Sequence, residues 1–189
     1  MSLSGADAIK WRFLTTEKLT GLNIVLFEPE IPQNTGNIGR FSVATDSRLI
    51  LAGKLGFSID DKAVKRAGLD YWKNVNLETL DTLDAFFEKY PISSYPYAFL
   101  SKFGTKNYTE IPHNDPNLMI IFGRETSGLP DWVQEKYAEH MYRIPTTGRV
   151  RSLNLSNAVA LVGYDILRRR DFEGLDGHWM GPSTGEIYA

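Results

Sequence analysis

The sequence predicts an α/β fold with a mostly parallel sheet and helices on both faces. Short runs of consecutive apolar residues recur along the chain, and such runs are typical of strands buried on both faces. Segments with helical spacing of apolar residues separate these runs, and this alternation is typical of parallel crossover connections. The apolar runs predict strands at residues 22–27, 48–52, 97–101, 118–122 and 140–144.

Helices are predicted between these strands. Pro29 and Pro32 disfavour a helix directly after the first strand, so we expect Asn34 or Thr35 to cap one that runs to about Ser47. Further helices are predicted at residues 60–66, at 82–90, from about 130, and at 155–170, whereas 69–77 is predicted to be extended.

The chain shows no internal repeat or low-complexity linker that would divide it. Its 189 residues are enough for one domain with a full core. Residues 1–20 have no clean periodicity and are interpreted as an N-terminal extension. We predict one domain at residues 21–172, followed by a Gly-rich, irregular C-terminal tail at 173–189.

The composition favours a cytoplasmic protein. The chain has no cysteine, which excludes disulfides and thiolate metal sites. No apolar stretch approaches the roughly 18 residues that a membrane helix needs. The N-terminal residues also lack the apolar core of a signal peptide. We therefore expect no membrane association.

Positive charge is concentrated locally. The formal net charge of −2 argues against indiscriminate binding to nucleic acid. Residues 143–170 nevertheless contain six arginines and one aspartate, a local sum of +5. A second basic cluster comprises Lys62, Lys65, Arg66 and Lys73. Both clusters are compatible with an RNA-binding face and with solvated helix surfaces.

The first of three candidate functional loops spans residues 28–40. Gly36 and Gly39 lie near its helix start, where a missing side chain lets another backbone approach closely. A dinucleotide site is a poor interpretation of this loop, because the GxGxxG pattern is absent. The second strand also ends in Ala-Gly-Lys rather than in an acidic residue that would bind a ribose.

The other two candidate loops follow later strands. Residues 122–130, FGRETSGLP, combine two glycines with the carboxylate of Glu125, although an ordinary strand-to-helix turn can look the same. Residues 141–157 lead into the last helix, whose entrance needs one or two capping side chains. Four are available there: Ser152, Asn154, Ser156 and Asn157. This surplus predicts a ligand at the helix N-terminus.

Other kinds of site find little support. His113, His140 and His178 are isolated and lack the spacing of metal ligands. No GxSxG nucleophile motif occurs. Tyr71 and Trp72 are open to two interpretations, since they could stack on a nucleobase or belong to the core.

Four segments together resemble the SPOUT superfamily of RNA methyltransferases: LNIVLFEPEIPQNTGNIGR, KRAGLDYW, FGRETSGLP and IPTTGRVRSLNLSNAVA. Within that superfamily the chain is most similar to the TrmL (YibK-like) tRNA 2′-O-methyltransferases, which modify the ribose of the wobble cytidine or uridine. The resemblance covers roughly residues 22–172. It implies a C-terminal trefoil knot, S-adenosylmethionine bound in the knot without a metal, and a homodimer with active sites at its interface.

The resemblance also implies which residues act. It places the cofactor against Leu100, Gly123, Ile144 and Ser152, largely through backbone groups, with Leu129 and Leu153 in the same pocket. The reactive set would be Asn34, Arg40, Glu125, Ser152 and Asn154.

Arg40 is the general base that the resemblance offers. A guanidinium stays protonated in proteins, so stabilising the developing alkoxide or binding the adjacent phosphate is the better-founded role. Ser152 and Asn154 would orient the hydroxyl and the cofactor, and Glu125 would hold Arg40 or the loop.

For tRNA, the expected phosphate contacts are Lys65, Arg66, Arg149 and Arg151, with Tyr71 or Trp72 near the anticodon loop. The sequence leaves three other functions open: ribose methylation of ribosomal RNA, a non-catalytic RNA-binding relative and, more distantly, a dinucleotide-dependent dehydrogenase. The loop TTGRVRS, residues 146–152, departs in composition from the TrmL pattern.

Overall fold

The computed structural model describes residues 21–58 and 71–175. Within these residues one sheet is formed in the order β3-β2-β1-β6-β4-β7-β5, and all of its neighbouring strands are parallel. The strands are β1 (Asn23–Phe27), β2 (Arg48–Ala52), β3 (Asn76–Leu80), β4 (Tyr97–Leu100), β5 (Lys106–Asn107), β6 (Met119–Phe122) and β7 (Met141–Arg143). The predicted α/β class with a parallel sheet is confirmed.

Helices cover both faces of the sheet. They are α1 (Pro32–Ala44), α2 (Leu83–Lys89), α3 (Asp131–Lys136) and α4 (Leu155–Arg169). One core contains Ile38 of α1 and Val162 of α4, and the other contains Phe86 of α2 and Val133 of α3. Successive residues of each central strand therefore face opposite cores, which explains why the strand sequences are continuously apolar.

The strand β1 shows this alternation. Ile24 and Leu26 belong to the core under α1 and α4, whereas Val25 and Phe27 belong to the core under α2 and α3. All four side chains are at most 1% exposed. Burying such side chains contributes roughly 1.5–3 kcal/mol each, so the central strands anchor the loops that leave their carboxyl ends.

The start of α1 differs from the prediction. The helix begins at Pro32. Ile31 occupies the N-cap position, but its side chain makes no capping hydrogen bond. The prediction that Asn34 or Thr35 caps this helix is wrong, because both lie inside it and are buried. Proline is tolerated in the first turn, since its missing N–H would have had no partner within the helix.

Other boundaries also shift. The segment 69–77 was predicted to be extended, but it contains a 3₁₀ turn at Trp72–Asn74, and β3 continues to Leu80. The short edge strand β5 was not predicted. α3 begins at Asp131, with Pro130 as its N-cap rather than its first residue. The predicted helix at 60–66 lies outside the described residues, as do the extension 1–20 and residues 176–189 of the tail.

The last helix follows the prediction closely. Val159, Val162 and Ile166 of α4 are at most 1% exposed and form its core-facing side. Asn154 caps the helix by accepting hydrogen bonds from the amides of Ser156 and Asn157. The trefoil knot that the resemblance implies stays a prediction.

The topology brings the predicted loops together. Strand β1 pairs with β2 along one edge and with β6 along its other edge. A crevice forms at the carboxyl ends of strands where the strand order reverses in this way.

None of the helices in the described segments is long and apolar enough to cross a membrane.

Candidate active site

A cavity of about 370 Å³ opens at the carboxyl ends of the central strands. Its lining comes from the loops after β1, β4, β6 and β7 and from the start of α4. All the candidate loops of the sequence therefore contribute to one site, which we term the carboxyl-end cavity.

The six predicted cofactor residues all line the carboxyl-end cavity: Leu100, Gly123, Leu129, Ile144, Ser152 and Leu153. They follow three different strands, and the parallel sheet brings those strand ends to one edge. Their location agrees with the expected role, and the role itself stays a prediction.

The loop after β6 folds back tightly beside Gly123. A Cβ atom added to Gly123 would lie 2.3 Å from the carbonyl carbon of Gly128 and 2.3 Å from the amide nitrogen of Leu129. Arg124 and Gly128 exchange two backbone hydrogen bonds of 3.0 Å each, with Gly128 at a φ of +78°. Glycine is required at position 123 because backbone, not a flexible side chain, occupies the space.

Two contacts tie this loop to the loop after β1. The carboxylate of Glu28 accepts a hydrogen bond from the guanidinium of Arg124, with Nη2 and Oε2 2.6 Å apart. The carboxylate of Glu30 accepts from the hydroxyl of Thr126 at 2.7 Å and from its amide at 3.1 Å. The two loops that follow the adjacent strands β1 and β6 thus form one unit.

Glu125 supplies the cap that α1 lacks. Its Oε2 accepts from the amide of Glu30 at 2.8 Å, and its Oε1 accepts from the amide of Ile31 at 3.2 Å and from Nδ2 of Asn34 at 3.0 Å. A carboxylate at this position also complements the positive end of the helix dipole. Two partners were possible for Glu125, Arg40 or a loop. These hydrogen bonds of Glu125 are with the loop after β1 and the start of α1.

Asn34 and Asn154 extend this network to α4. Oδ1 of Asn34 accepts a hydrogen bond from Nδ2 of Asn154 at 3.0 Å. Oδ1 of Asn154 in turn accepts from the amides of Ser156 at 2.9 Å and of Asn157 at 3.4 Å. The partners fix which atom is oxygen and which is nitrogen in the side-chain amides of Asn34 and Asn154. The carboxylate of Glu125 can only accept a hydrogen bond, and a backbone N–H can only donate one.

Arg40 lies apart from the other predicted catalytic residues. Asn34, Glu125 and Asn154 line the carboxyl-end cavity, but Arg40 does not and is exposed on α1. The carbon at the centre of its guanidinium lies 4.9 Å from the centroid of the Tyr71 ring. Arg40 is therefore held on the outer side of α1 by a cation–π contact.

Tyr71 and Trp72 pack against α1. The hydroxyl of Tyr71 donates to the carbonyl of Gly36 at 2.9 Å. Burial raises the pKa of this hydroxyl, although the nearby Arg40 opposes the shift. The Trp72 ring occupies the space beside Gly39, where an added Cβ would meet it at 2.6 Å. For Tyr71, 9% exposed, the structure favours the interpretation as a core residue.

The predicted RNA-binding residues are only partly placed. Arg151 lines the carboxyl-end cavity and is exposed, and Arg149 is exposed in the same loop without lining the cavity. Lys65 and Arg66 lie outside the described residues. The structure therefore locates two cations of the expected phosphate-binding set.

Several cavity residues were not predicted from the sequence. Ser101, Lys102 and Phe103 follow β4 and line the cavity. Gln134 of α3 also lines it, where its Nε2 donates to the carbonyl of Leu129 at 2.8 Å and its Oε1 accepts from the hydroxyl of Ser101 at 3.2 Å. Their position just after a buried strand was the signal that could have identified residues 101–103.

The histidines do not gather at the site. His113 contacts Arg169, with Nδ1 and the guanidinium nitrogen 3.1 Å apart, and His178 lies outside the described residues. Within residues 21–58 and 71–175, no three His, Asp or Glu side chains come together as metal ligands.

Comparison with known proteins identifies the family. Residues 21–164 match the SpoU rRNA Methylase family. The chain belongs to this family. A Listeria monocytogenes protein named "Putative tRNA (cytidine(34)-2'-O)-methyltransferase" is 50% identical over 155 residues, which are 81% of this chain and 90% of that protein. The tRNA (cytidine(34)-2'-O)-methyltransferase of Methylovorus glucosotrophus is 39% identical over 80% of this chain and 97% of that protein.

Solved structures of the SpoU class share the fold. One described as giving "Structural insights into the 2-OH methylation of C/U34 on tRNA" has a TM-score of 0.75 at 37% identity, over 82% of this chain and all of that one. The SpoU methyltransferase AviRb from Streptomyces viridochromogenes, in complex with the cofactor AdoMet, has a TM-score of 0.68 at 21% identity. It covers 91% of this chain and 67% of that one.

Proposed function

We propose that this SpoU-family protein transfers a methyl group from S-adenosylmethionine to the 2′-hydroxyl of the wobble nucleotide, cytidine or uridine 34, of tRNA. The observation that carries the proposal is the hydrogen-bonded chain Glu125–Asn34–Asn154 at the edge of the carboxyl-end cavity. The names of relatives that are 39–50% identical over most of the chain support the choice of substrate.

The carboxyl-end cavity suits the proposed cofactor. Gly123 lines the cavity and has no side chain, so it presents backbone groups to a ligand there. Leu100, Leu129 and Ile144 offer apolar surface for a base or a thioether chain. When bound, S-adenosylmethionine supplies a methyl group on a sulfonium, a good leaving group. The chain therefore has mainly to position the acceptor hydroxyl in line with that methyl group.

The network at the cavity edge would position the acceptor. The amide nitrogen of Asn154 has one N–H on Asn34, and its second N–H is a donor for the ribose oxygen. Ser152, exposed at the same edge, offers a further donor or acceptor. In the transfer, O2′ would gain the methyl group while S-adenosylhomocysteine leaves as the neutral thioether, and the hydroxyl proton would pass to solvent water at the open edge of the cavity. Donors aimed at O2′ stabilise the charge that develops there.

Arg40 would act in a homodimer. Its distance from the cavity of its own chain is accounted for if the active sites lie at a dimer interface, as the resemblance implies. There Arg40 of one protomer would stabilise the alkoxide or bind a phosphate beside the partner's cavity. In support, α4 exposes Leu161 and Tyr164, at 39% and 47%, near α1.

The RNA would be bound by basic side chains. The proposed phosphate contacts are Arg151, which lines the cavity, Arg149, which is exposed in the same loop, and Lys65 and Arg66, which lie outside the described residues. Losing such a contact weakens binding and lowers its dependence on salt. We also propose a cytoplasmic location, which a tRNA substrate supports.

Ribosomal RNA is the second candidate substrate, because the matching family is described as an rRNA methylase family. Incubation with methyl-labelled S-adenosylmethionine and either total tRNA or ribosomal RNA tests the choice. We expect label in the tRNA fraction, and label confined to ribosomal RNA would contradict the proposal.

S-adenosylhomocysteine should raise the melting temperature, whereas NAD should not, because only a ligand of the native state stabilises it.

A further inference from the structure

Phe103 is an exposed aromatic side chain at the carboxyl-end cavity. It is 66% exposed, more than any other large apolar side chain among the described residues. It nevertheless lies in the cavity lining, in the loop after β4. An apolar ring held at the mouth of a ligand cavity is a candidate contact for a ligand.

The turn that carries Phe103 is firmly held. The amide of Ser101 donates to the carbonyl of Tyr142 on β7 at 2.9 Å, and the amide of Gly104 donates to the carbonyl of Ser101 at 3.1 Å. The amide of Phe103 itself donates to the hydroxyl of Ser101 at 3.2 Å. A Cβ atom on Gly104 would lie 2.4 Å from the carbonyl carbon of Tyr142, so the turn is packed directly on the β7 backbone. The ring is therefore presented from a fixed backbone.

One cation contacts the ring and a second lines the same cavity. The ammonium of Lys102 lies 4.7 Å from the centroid of the Phe103 ring. Arg151, from the loop before α4, lines the same cavity and is exposed. An exposed aromatic ring with one cation beside it and another in the same cavity matches a nucleotide, whose base stacks on aromatic rings and whose phosphate pairs with Lys or Arg.

We propose that Phe103 is a base-stacking residue, which packs against the nucleobase of an RNA nucleotide next to the one that is methylated. Lys102 and Arg151 then contact the phosphates on either side of that base. The assignment rests on the proposed function, since it needs a single-stranded RNA segment at the cavity mouth. The degree of exposure favours RNA over the cofactor, because a ring that is two-thirds exposed lies at the rim, outside the apolar part of the cavity around Leu129 and Ile144.

The test compares Phe103→Leu, which keeps an apolar side chain, with Phe103→Tyr, which keeps the ring. We expect Phe103→Leu to raise the Kd and the KM for tRNA by about five- to a hundredfold, and Phe103→Tyr to stay near the wild-type values. The Kd for S-adenosylhomocysteine, measured by calorimetry without RNA, should stay unchanged in both variants. Phe172→Leu is the matched control, since it removes a ring that is 42% exposed and does not line the cavity.

Anticodon stem-loop RNAs with an abasic site identify the stacked base. With the base removed on the correct side of the acceptor nucleotide, wild-type protein and Phe103→Leu should bind equally. Equal tRNA binding by Phe103→Leu and wild type would overturn the proposal, and so would a Kd for S-adenosylhomocysteine that rises in Phe103→Leu. If wild-type protein methylates no tRNA, the proposed function itself fails. If wild type methylates and Phe103→Leu keeps the wild-type KM, only the stacking assignment fails.

Discussion

The amide of Asn154 donates from Nδ2 to Oδ1 of Asn34 at 3.0 Å, across 120 positions of the sequence. This contact joins the start of α4 to the first turn of α1. Through Asn34 it reaches the carboxylate of Glu125 in the loop after β6. The start of α1, the start of α4 and the loop after β6 are thus coupled by hydrogen bonds whose donors and acceptors are fixed.

Asn154→Ala should lower methyl transfer by about 10²–10³-fold, because it removes the donor that we propose for the reacting oxygen. It should also destabilise the fold by about 0.5–2 kcal/mol through loss of the α4 cap. Thr82→Ala is the matched control, since Thr82 caps α2 by accepting from the amide of Ala85, away from the cavity. A similar loss of stability in both variants with full turnover in Asn154→Ala would remove Asn154 from the mechanism.

Arg40→Ala should lower kcat strongly without changing the affinity for S-adenosylhomocysteine, because Arg40 does not line the cavity. If Arg40 acts across a dimer interface, an equal mixture of Arg40→Ala and Asn154→Ala protein should recover about a quarter of wild-type activity after subunit exchange. Half of the dimers are then mixed, and each has one complete site. No recovery in a mixture that forms mixed dimers would place Arg40 in its own subunit's site or outside the reaction. Arg40→Lys with unchanged kcat would likewise exclude a role for the guanidinium.

Gly123→Ala should weaken binding of S-adenosylhomocysteine and lower the melting temperature. The added Cβ would meet the backbone of Gly128 and Leu129, so the loop after β6 has to move. Gly148→Ala is the control, because Gly148 lies in an exposed loop at a φ of +80° and has nothing within 4 Å of an added Cβ, so the substitution adds the same methyl group without a clash. It should keep the cofactor affinity of the wild type. Equal affinities in both variants would show that the backbone around Gly123 is not part of the cofactor site.

Stability should fall as the pH drops below about 6.5. Burial, followed by the nearby charges of Arg169 and Arg170, lowers the pKa of His113 from its usual 6.5, and the charge of Asp165 opposes this shift. Below that pH the unfolded chain binds a proton on His113 that the folded chain does not yet bind. The free energy of unfolding therefore falls until the pH reaches the folded pKa, and below it His113 causes no further loss. Urea unfolding between about pH 5 and 8 measures the slope. His113→Gln should flatten this slope. A slope unchanged by His113→Gln would show that another group is responsible.

The fold could be predicted where local pattern and burial agree. The central strands have continuous apolar runs because both of their faces are buried, and α4 shows the spacing of Val159, Val162 and Ile166 that its one-sided burial requires. The edge strands gave no such signal. Residues of β3 are exposed or half-buried, and β5 has only two residues, both exposed.

The cap of α1 shows a second limit of local prediction. The sequence suggested a cap from within residues 28–40, but the actual acceptor is Glu125, which contacts Ile31 across 94 positions. Likewise, the surplus of capping groups before α4 has a long-range explanation, since Asn154 both caps the helix and binds Asn34. The resemblance identified these residues, whereas periodicity and spacing could not show which of them meet.

The central claim is tested most directly by mapping the methylated atom. Wild-type protein, labelled S-adenosylmethionine and an anticodon stem-loop RNA should give label only on nucleotide 34, as a 2′-O-methylated nucleoside after digestion. The same RNA with a 2′-deoxyribose at position 34 should take up none, because the acceptor oxygen is missing. Label that persists on the 2′-deoxy RNA, or no label on any tRNA, would contradict the account.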